Sequence, residues 1–204
     1  MKFDLIYADP PWAFNQRAVH TDTKFGGGVH GQYPVMTDAD VAQRVGKALQ
    51  PVLADQAVLF LWTTPSKGLQ VVQDVLTHWG FRYCTRAFVW VKTYPSGGTF
   101  RGPGYTTASN AEDCYIAFRG KPLTPRKRLV DSVVIEPHPR KDGKIWHSAK
   151  PETVRQRIEQ MYPDLRKLEL FGRAPADGWA VLGNEISGLD ICDDLESISA
   201  LRLD

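Results

Sequence analysis

Leu5-Ile6-Tyr7-Ala8-Asp9-Pro10-Pro11-Trp12 decides the fold and locates the chemistry. The apolar run predicts a strand over residues 3 to 8. Two prolines cannot continue a hydrogen-bonded strand, because neither donates an N–H and each fixes its own φ. Pro10 also drives Asp9 towards extended backbone, and Pro11 does the same to Pro10. The result is a stiff turn at the C-terminal end of a strand, where α/β sheets bind ligands. It presents the Asp9 carboxylate, the Pro10 carbonyl and the Trp12 indole together. Such a group suits a flat ligand bearing an NH2: the two oxygens accept the amine hydrogens, and an aromatic face meets the ring. The plain alternative is a proline-rich turn with a partly buried tryptophan.

Working outward, Thr37 starts a helix with Asp40 as its capping partner, and Val41, Val45, Ala48 and Leu49 keep helical spacing. Ala57 to Trp62 is a continuous apolar run and reads as a doubly buried strand. Ser66 caps the next helix, whose buried stripe is Leu69, Val72, Leu76 and Trp79 and whose stop is Gly80. A further strand follows over residues 81 to 91, with Lys92 at its C-terminal end. Strand, helix and strand in this order predict an α/β fold on a mostly parallel sheet.

A chain of 204 residues, 43% apolar and 24% charged, buries one core. We read one domain over 1–189 and an acidic tail over 190–204. That tail carries net −4 and leaves +6 on the body, a balance that fits a polyanionic partner. No segment has the length of a membrane span. Cys84, Cys114 and Cys192 are dispersed, and neither they nor the histidines have metal-ligand spacing. A reduced, cytoplasmic setting and no metal are expected.

The remaining candidates lie where loops meet strand ends. Residues 17–31 form a polar loop around Gly26-Gly27-Gly28, too irregular for a dinucleotide fingerprint. Residues 93–109 are too long for a simple connector and lead to Asn110 and Glu112 before an apolar strand. Arg126, Lys127 and Arg128 follow that strand, and Arg140, Lys141 and Lys144 lie in a polar stretch beyond. All six are candidates for substrate binding, the first three through phosphate contact. Lys150 precedes a helix opened by Pro151, where the helix dipole disfavours a cation, a conflict that points to function. Glu169 interrupts an apolar strand, to accept from a ribose hydroxyl or to pair with Arg173. Asn184 and Glu185 follow a last short strand and offer donors and acceptors.

Asp9-Pro10-Pro11-Trp12 resembles the signature of the N6-adenine methyltransferases that use S-adenosyl-L-methionine. That family includes the catalytic subunit of the eukaryotic messenger-RNA adenosine methyltransferase and bacterial and phage DNA members. The string His147-Ser148-Ala149-Lys150-Pro151, the string Glu169-Leu170-Phe171-Gly172-Arg173 and the ending Gly183-Asn184-Glu185 are similar to later motifs of the same family. So is Gly102-Pro103-Gly104-Tyr105 with Asn110-Ala111-Glu112. The resemblance implies a single Rossmann-like methyltransferase domain with permuted motif order. It implies catalysis by Asp9, Pro10, Pro11 and Trp12, and cofactor contacts from Asp9, Lys150, Glu169, Phe171, Arg173, Asn184 and Glu185. Trp12, Tyr105, Asn110 and Glu112 would form the acceptor pocket. The expected protein is a bacterial or phage DNA-type member, a site-specific DNA adenine-N6 methyltransferase with DNA favoured over RNA as partner. It would act as monomer or dimer, with a partner subunit as an option. The alternatives are an RNA adenine or cytosine-N4 methyltransferase, or a non-catalytic nucleic-acid-binding subunit.

Overall fold

β1 (Phe3–Ala8) is buried at every position from Leu5 to Ala8, so both of its faces are covered. The computed structural model describes residues 2–13, 36–65, 67–102, 106–146 and 148–200. The glycine loop at 26–28, Ser66, Tyr105 and His147 lie outside the described residues. In chain order the further strands are β2 (Leu53–Thr63), β3 (Arg82–Thr93), β4 (Ala111–Arg119) and β5 (Val133–Pro137). Next come the short hairpin strands β6 (Arg140–Lys141) and β7 (Lys144–Ile145), then β8 (Lys167–Leu170) and β9 (Trp179–Leu182). Seven of them form one sheet in the order β5-β3-β4-β2-β1-β8-β9.

Parallel pairing joins β1 to β2, β1 to β8, β8 to β9 and β3 to β5; β4 alone runs antiparallel, between β2 and β3. The chain leaves β1 on one side towards β2 and returns on the other through β8. The tip of β1 is therefore the topological switch point of the sheet, where a crevice opens at the carboxyl ends. A single Rossmann-like α/β domain with permuted strand order is the result.

Strand alternation splits the core in two. Ile6, Ala8, Leu59, Leu61, Leu168 and Leu170 face a layer made of a π-helical turn (Asp40–Val45), α1 (Gly46–Leu49), α2 (Leu69–Trp79) and, beyond the single turn α4 (Asn184–Ser187), α5 (Ile191–Ala200). Leu5, Tyr7, Val58, Phe60 and Trp62 face α3 (Glu152–Met161) through Val154 and Ile158. Trp79 is fully buried and donates its indole N–H to the Val41 carbonyl at 2.8 Å. Truncating such a side chain to alanine costs about 3–5 kcal/mol. Thr37 accepts from the Asp40 amide at 3.0 Å and donates to its carboxylate at 2.7 Å, closing the first helix start.

β2 begins four residues before the apolar run, at Leu53. Asp55 and Gln56 are exposed within it, and the register against β1 shifts between Phe3 and Leu5 to accommodate them. Of the acidic segment, α5 packs Ile191 and Leu195 into the first core, and the buried Asp194 carboxylate accepts from the Ser187 hydroxyl at 2.9 Å. Among the described residues no helix is long and apolar enough to cross a membrane.

Candidate active site

The double-proline turn continues straight from β1 and is tied at several points. The Trp12 amide donates to the Pro10 carbonyl at 2.8 Å, the Met36 amide to the Pro11 carbonyl at 3.0 Å, and the Ala13 amide to the Met36 carbonyl at 3.1 Å. The Trp12 indole N–H reaches the Trp62 carbonyl at 3.3 Å. Lys67 closes the far side, with its ammonium on the Ala13 carbonyl and on Asp38. Pro10 therefore already spends one lone pair within the turn and keeps a second for a ligand. Trp12 packs its ring into the core at 3% exposure, so it supports the turn from beneath rather than offering a broad open face.

Asp9 stands at the tip with its side chain 26% exposed, while its partners Lys150 and Glu112 are at 10% and 11%. Lys150 donates to Asp9 Oδ2 at 2.5 Å, leaving Oδ1 without a hydrogen-bond partner among the described residues. The same ammonium lies 3.3 Å from Glu112 Oε2, and Lys92 donates to Glu112 Oε1 at 2.6 Å. A chain of alternating charge thus runs Asp9, Lys150, Glu112, Lys92. Burial pushes the Asp9 carboxyl above its ordinary range, and Lys150 opposes that rise. Burial acts on Glu112 in the same direction, but the Lys150 and Lys92 ammoniums outweigh it and hold its carboxyl below the usual value. For Lys150 burial alone would favour loss of the proton, and the Asp9 and Glu112 carboxylates reverse that, raising it. The cation at the mouth of α3 is stable because two carboxylates face it.

The other flank of β1 is built from backbone. Phe171 sits at φ 63° just past β8, a left-handed conformation that is costly for a bulky side chain. The Gly172 amide donates to the Leu182 carbonyl at 2.9 Å. A Cβ on Gly172 would overlap Val181, and one on Gly183 would overlap the Gly172 carbonyl. Glycine is required where these two strand ends touch. The contact places Arg173, Asn184 and Glu185 on one rim, with the Arg173 guanidinium bonded to Glu185 at 2.5 Å. Arg173 also lies 5.2 Å from the Trp146 ring, and Lys141 lies 5.3 Å from the same ring. Trp146 thereby joins the basic β6–β7 hairpin to this rim.

Several sequence expectations change in the structure. Glu169 pairs with Arg155 of α3 at 2.9 Å, not with Arg173, because strand alternation turns it away from Leu168 and Leu170 and under the helix. Burial pushes its carboxyl up to about 7, against the pull of Arg155. Arg126, Lys127 and Arg128 are separated from Asp9 by the length of the sheet. β4 is antiparallel, so Arg119 leaves the sheet opposite Ala57, at the end remote from Asp9. The Arg126 amide accordingly bonds the Met161 carbonyl at the C-terminal end of α3, Arg126 pairs with Asp164, and Lys127 donates to Gln160. Asn110 and Glu112, by contrast, precede and open β4 at the Asp9 end, and the hairpin carrying Arg140, Lys141 and Lys144 follows the same end of β5. Lys92, Lys67, Trp146 and Arg155 were not foreseen as site residues. Lys92 alone had a signal, a cation closing the apolar strand Phe88-Val89-Trp90-Val91.

The rim holds a guanidinium paired with a carboxylate, Arg173 with Glu185, beside the Asn184 amide, and a neighbouring anion, Asp9, faces the same crevice for a cationic centre. That donor set fits S-adenosyl-L-methionine, the cofactor of the methyltransferase family that the chain's sequence matches. The family model for MT-A70 matches residues 3–185, and the chain belongs to that family. It is 31% identical over 199 residues to the type II methyltransferase M.MunI of Mycoplasma sp, covering 91% of this chain and 78% of that protein. It is 29% identical over 197 residues to the putative N6-adenosine-methyltransferase MT-A70-like of Medicago truncatula, covering 95% of this chain and 28% of the relative. Against the human N6-adenosine-methyltransferase catalytic subunit METTL3 the figures are 30% over 196 residues, 94% and 30%. This chain therefore spans less than a third of the plant and human relatives.

These relatives correct the expectation of a bacterial or phage DNA-type member acting on DNA. Proteins named as N6-adenosine methyltransferases, from plants and animals, predominate among them, and adenosine is the ribonucleoside.

Proposed function

We propose that this chain methylates the N6 amine of adenosine in RNA, with Asp9 as the acceptor-orienting carboxylate. One observation carries the reading: Asp9 stands at the tip of the central strand with its side chain 26% exposed and Oδ2 fixed by Lys150, while Oδ1 has no hydrogen-bond partner among the described residues. When bound, S-adenosyl-L-methionine supplies an electrophilic methyl group on a sulfonium. The exocyclic amine of adenine is a weak nucleophile because its lone pair is delocalised into the ring. Asp9 Oδ1 and the second lone pair of the Pro10 carbonyl accept its two hydrogens, which turns the nitrogen lone pair out of conjugation and fixes its direction. Asp9 also stabilises the positive charge that grows on that nitrogen. Lys150 keeps Asp9 ionised and in one rotamer, and proton loss follows transfer. Arg173, Asn184, Glu185 and Phe171 hold the cofactor, with Glu169 supporting the rim from beneath through Gly172. The cations Arg140, Lys141 and Lys144 meet the phosphates, and Asn110 and Glu112 border the acceptor. A cytoplasmic setting accords with the free thiols of Cys84, Cys114 and Cys192.

The test offers matched single-stranded RNA and DNA, each with one adenine, and identifies the product by mass of the released nucleoside. The expected product is N6-methyladenosine, with RNA turning over at least about tenfold faster, a difference of about 1.4 kcal/mol. Methylation of the DNA strand alone, or of cytosine, contradicts the reading.

A further inference from the structure

A second pocket lies on the acceptor side, at the carboxyl ends of β3 and β5. Thr93, Tyr94, Pro95, Phe100, Pro137, His138, Arg140 and Ile145 enclose a cavity of about 90 Å³. Its walls are aromatic: Tyr94 and Phe100 have ring centroids 5.3 Å apart, Phe100 and His138 4.7 Å, and His138 packs on the buried Trp90 at 5.2 Å. The loop that carries them is preformed. Phe100 donates its amide to the Lys92 carbonyl at 2.8 Å, and Tyr94 and Gly97 close a turn with bonds of 3.0 and 2.9 Å. Yet Tyr94 and Ile145 remain 42% and 43% exposed, so apolar surface faces solvent at the rim.

We propose that this pocket binds a second base of the substrate strand, away from the one that is methylated. The proposal rests on the RNA-adenosine reading above and deepens it. Three observations select the occupant. The volume admits one planar ring and not a whole nucleoside. The lining combines aromatic faces with Arg140, and Lys141 and Lys144 stand on the same hairpin, the combination by which proteins hold single-stranded nucleic acid through stacking and phosphate contacts. The pocket also continues the acceptor side, since Thr93 follows Lys92, the last member of the charge chain that begins at Asp9. The cofactor does not account for it: Trp146 links the hairpin to Arg173, yet none of Phe171, Arg173, Asn184 and Glu185 lines this pocket. Three inter-strand spacings of about 4.8 Å each put the pocket roughly 14 Å from Asp9 along the sheet, which is beyond the target base itself.

The test measures binding of the whole chain to a fluorescent single-stranded RNA with one adenosine, and to a series in which an abasic residue replaces each other base in turn. Phe100→Ala is expected to weaken the intact strand by about tenfold. One abasic position is expected to weaken wild-type binding by a similar factor and to have no further effect on the variant. Phe100→Trp restores affinity, and an unchanged melting temperature in all variants excludes unfolding as the cause. Additive losses at every abasic position, which is an equal loss in Phe100→Ala on all strands, or unchanged affinity in Phe100→Ala, overturn the proposal. Transfer is read on the same strands: no methylated product with the coupling intact refutes the acceptor reading and leaves the pocket standing.

Discussion

The two flanks of β1 are held by different physics. On the acceptor flank, order comes from side-chain charge: Lys150 bonds Asp9 across 141 positions of sequence and also faces Glu112, which in turn holds Lys92. On the cofactor flank, order comes from the backbone path: Phe171 is left-handed, Gly172 and Gly183 touch, and the Arg173–Glu185 bond spans only 12 positions. The first flank is sensitive to ionisation and tolerant of small changes in shape. The second has the opposite sensitivities. A substitution that alters charge at constant volume should damage one, and a substitution that adds one methyl should damage the other.

The largest effect is expected from Asp9→Asn, which conserves shape and removes the charge. Transfer should fall about 10³-fold, as for loss of one preorganised electrostatic contact, with the cofactor still bound. Rates within a few fold of wild type would remove Asp9 from the chemistry. Gly183→Ala probes the other flank. Its methyl would overlap the Gly172 carbonyl, an overpacking penalty of about 1–3 kcal/mol. Calorimetry should show cofactor affinity lower by about tenfold or more, and wild-type affinity would refute the backbone account. The smallest effect belongs to Glu169, which pairs with Arg155 under α3. Burial raises its carboxyl to about 7 from 4.5, so the folded chain keeps a proton that the unfolded chain has lost. Stability is therefore lost as pH rises from about 4.5 through about 7. Glu169→Gln should flatten the melting temperature across that window; an unchanged slope would show that other groups set it.

The same contrast explains what could be read from the sequence. The cofactor flank is local, so Phe171-Gly172-Arg173 and Gly183-Asn184-Glu185 announce it as short strings at strand ends. The apolar run at 57–62 likewise declares a doubly covered sheet, because burial on both faces leaves no room for alternation. The charge chain was only partly visible. Lys150 looked anomalous at a helix mouth, but nothing in the one-dimensional pattern pairs it with Asp9 or Glu112, which reach it only when β1, β4 and the approach to α3 assemble. The reversed direction of β4 was equally hidden, since a nine-residue strand reads the same in either orientation. That single reversal moved Arg126, Lys127 and Arg128 from the expected phosphate track to the far end of the sheet.

The pH dependence of a single turnover, in wild type and in Lys150→Met, tests the central claim that Lys150 sets the charge state of Asp9. Burial raises the Asp9 carboxyl and Lys150 lowers it, and the carboxylate is the working form. Transfer by the wild type should therefore fall as pH drops through a value above the ordinary carboxylate range, and the limb should move to higher pH in Lys150→Met. A limb that stays in place, or moves to lower pH, would contradict the account.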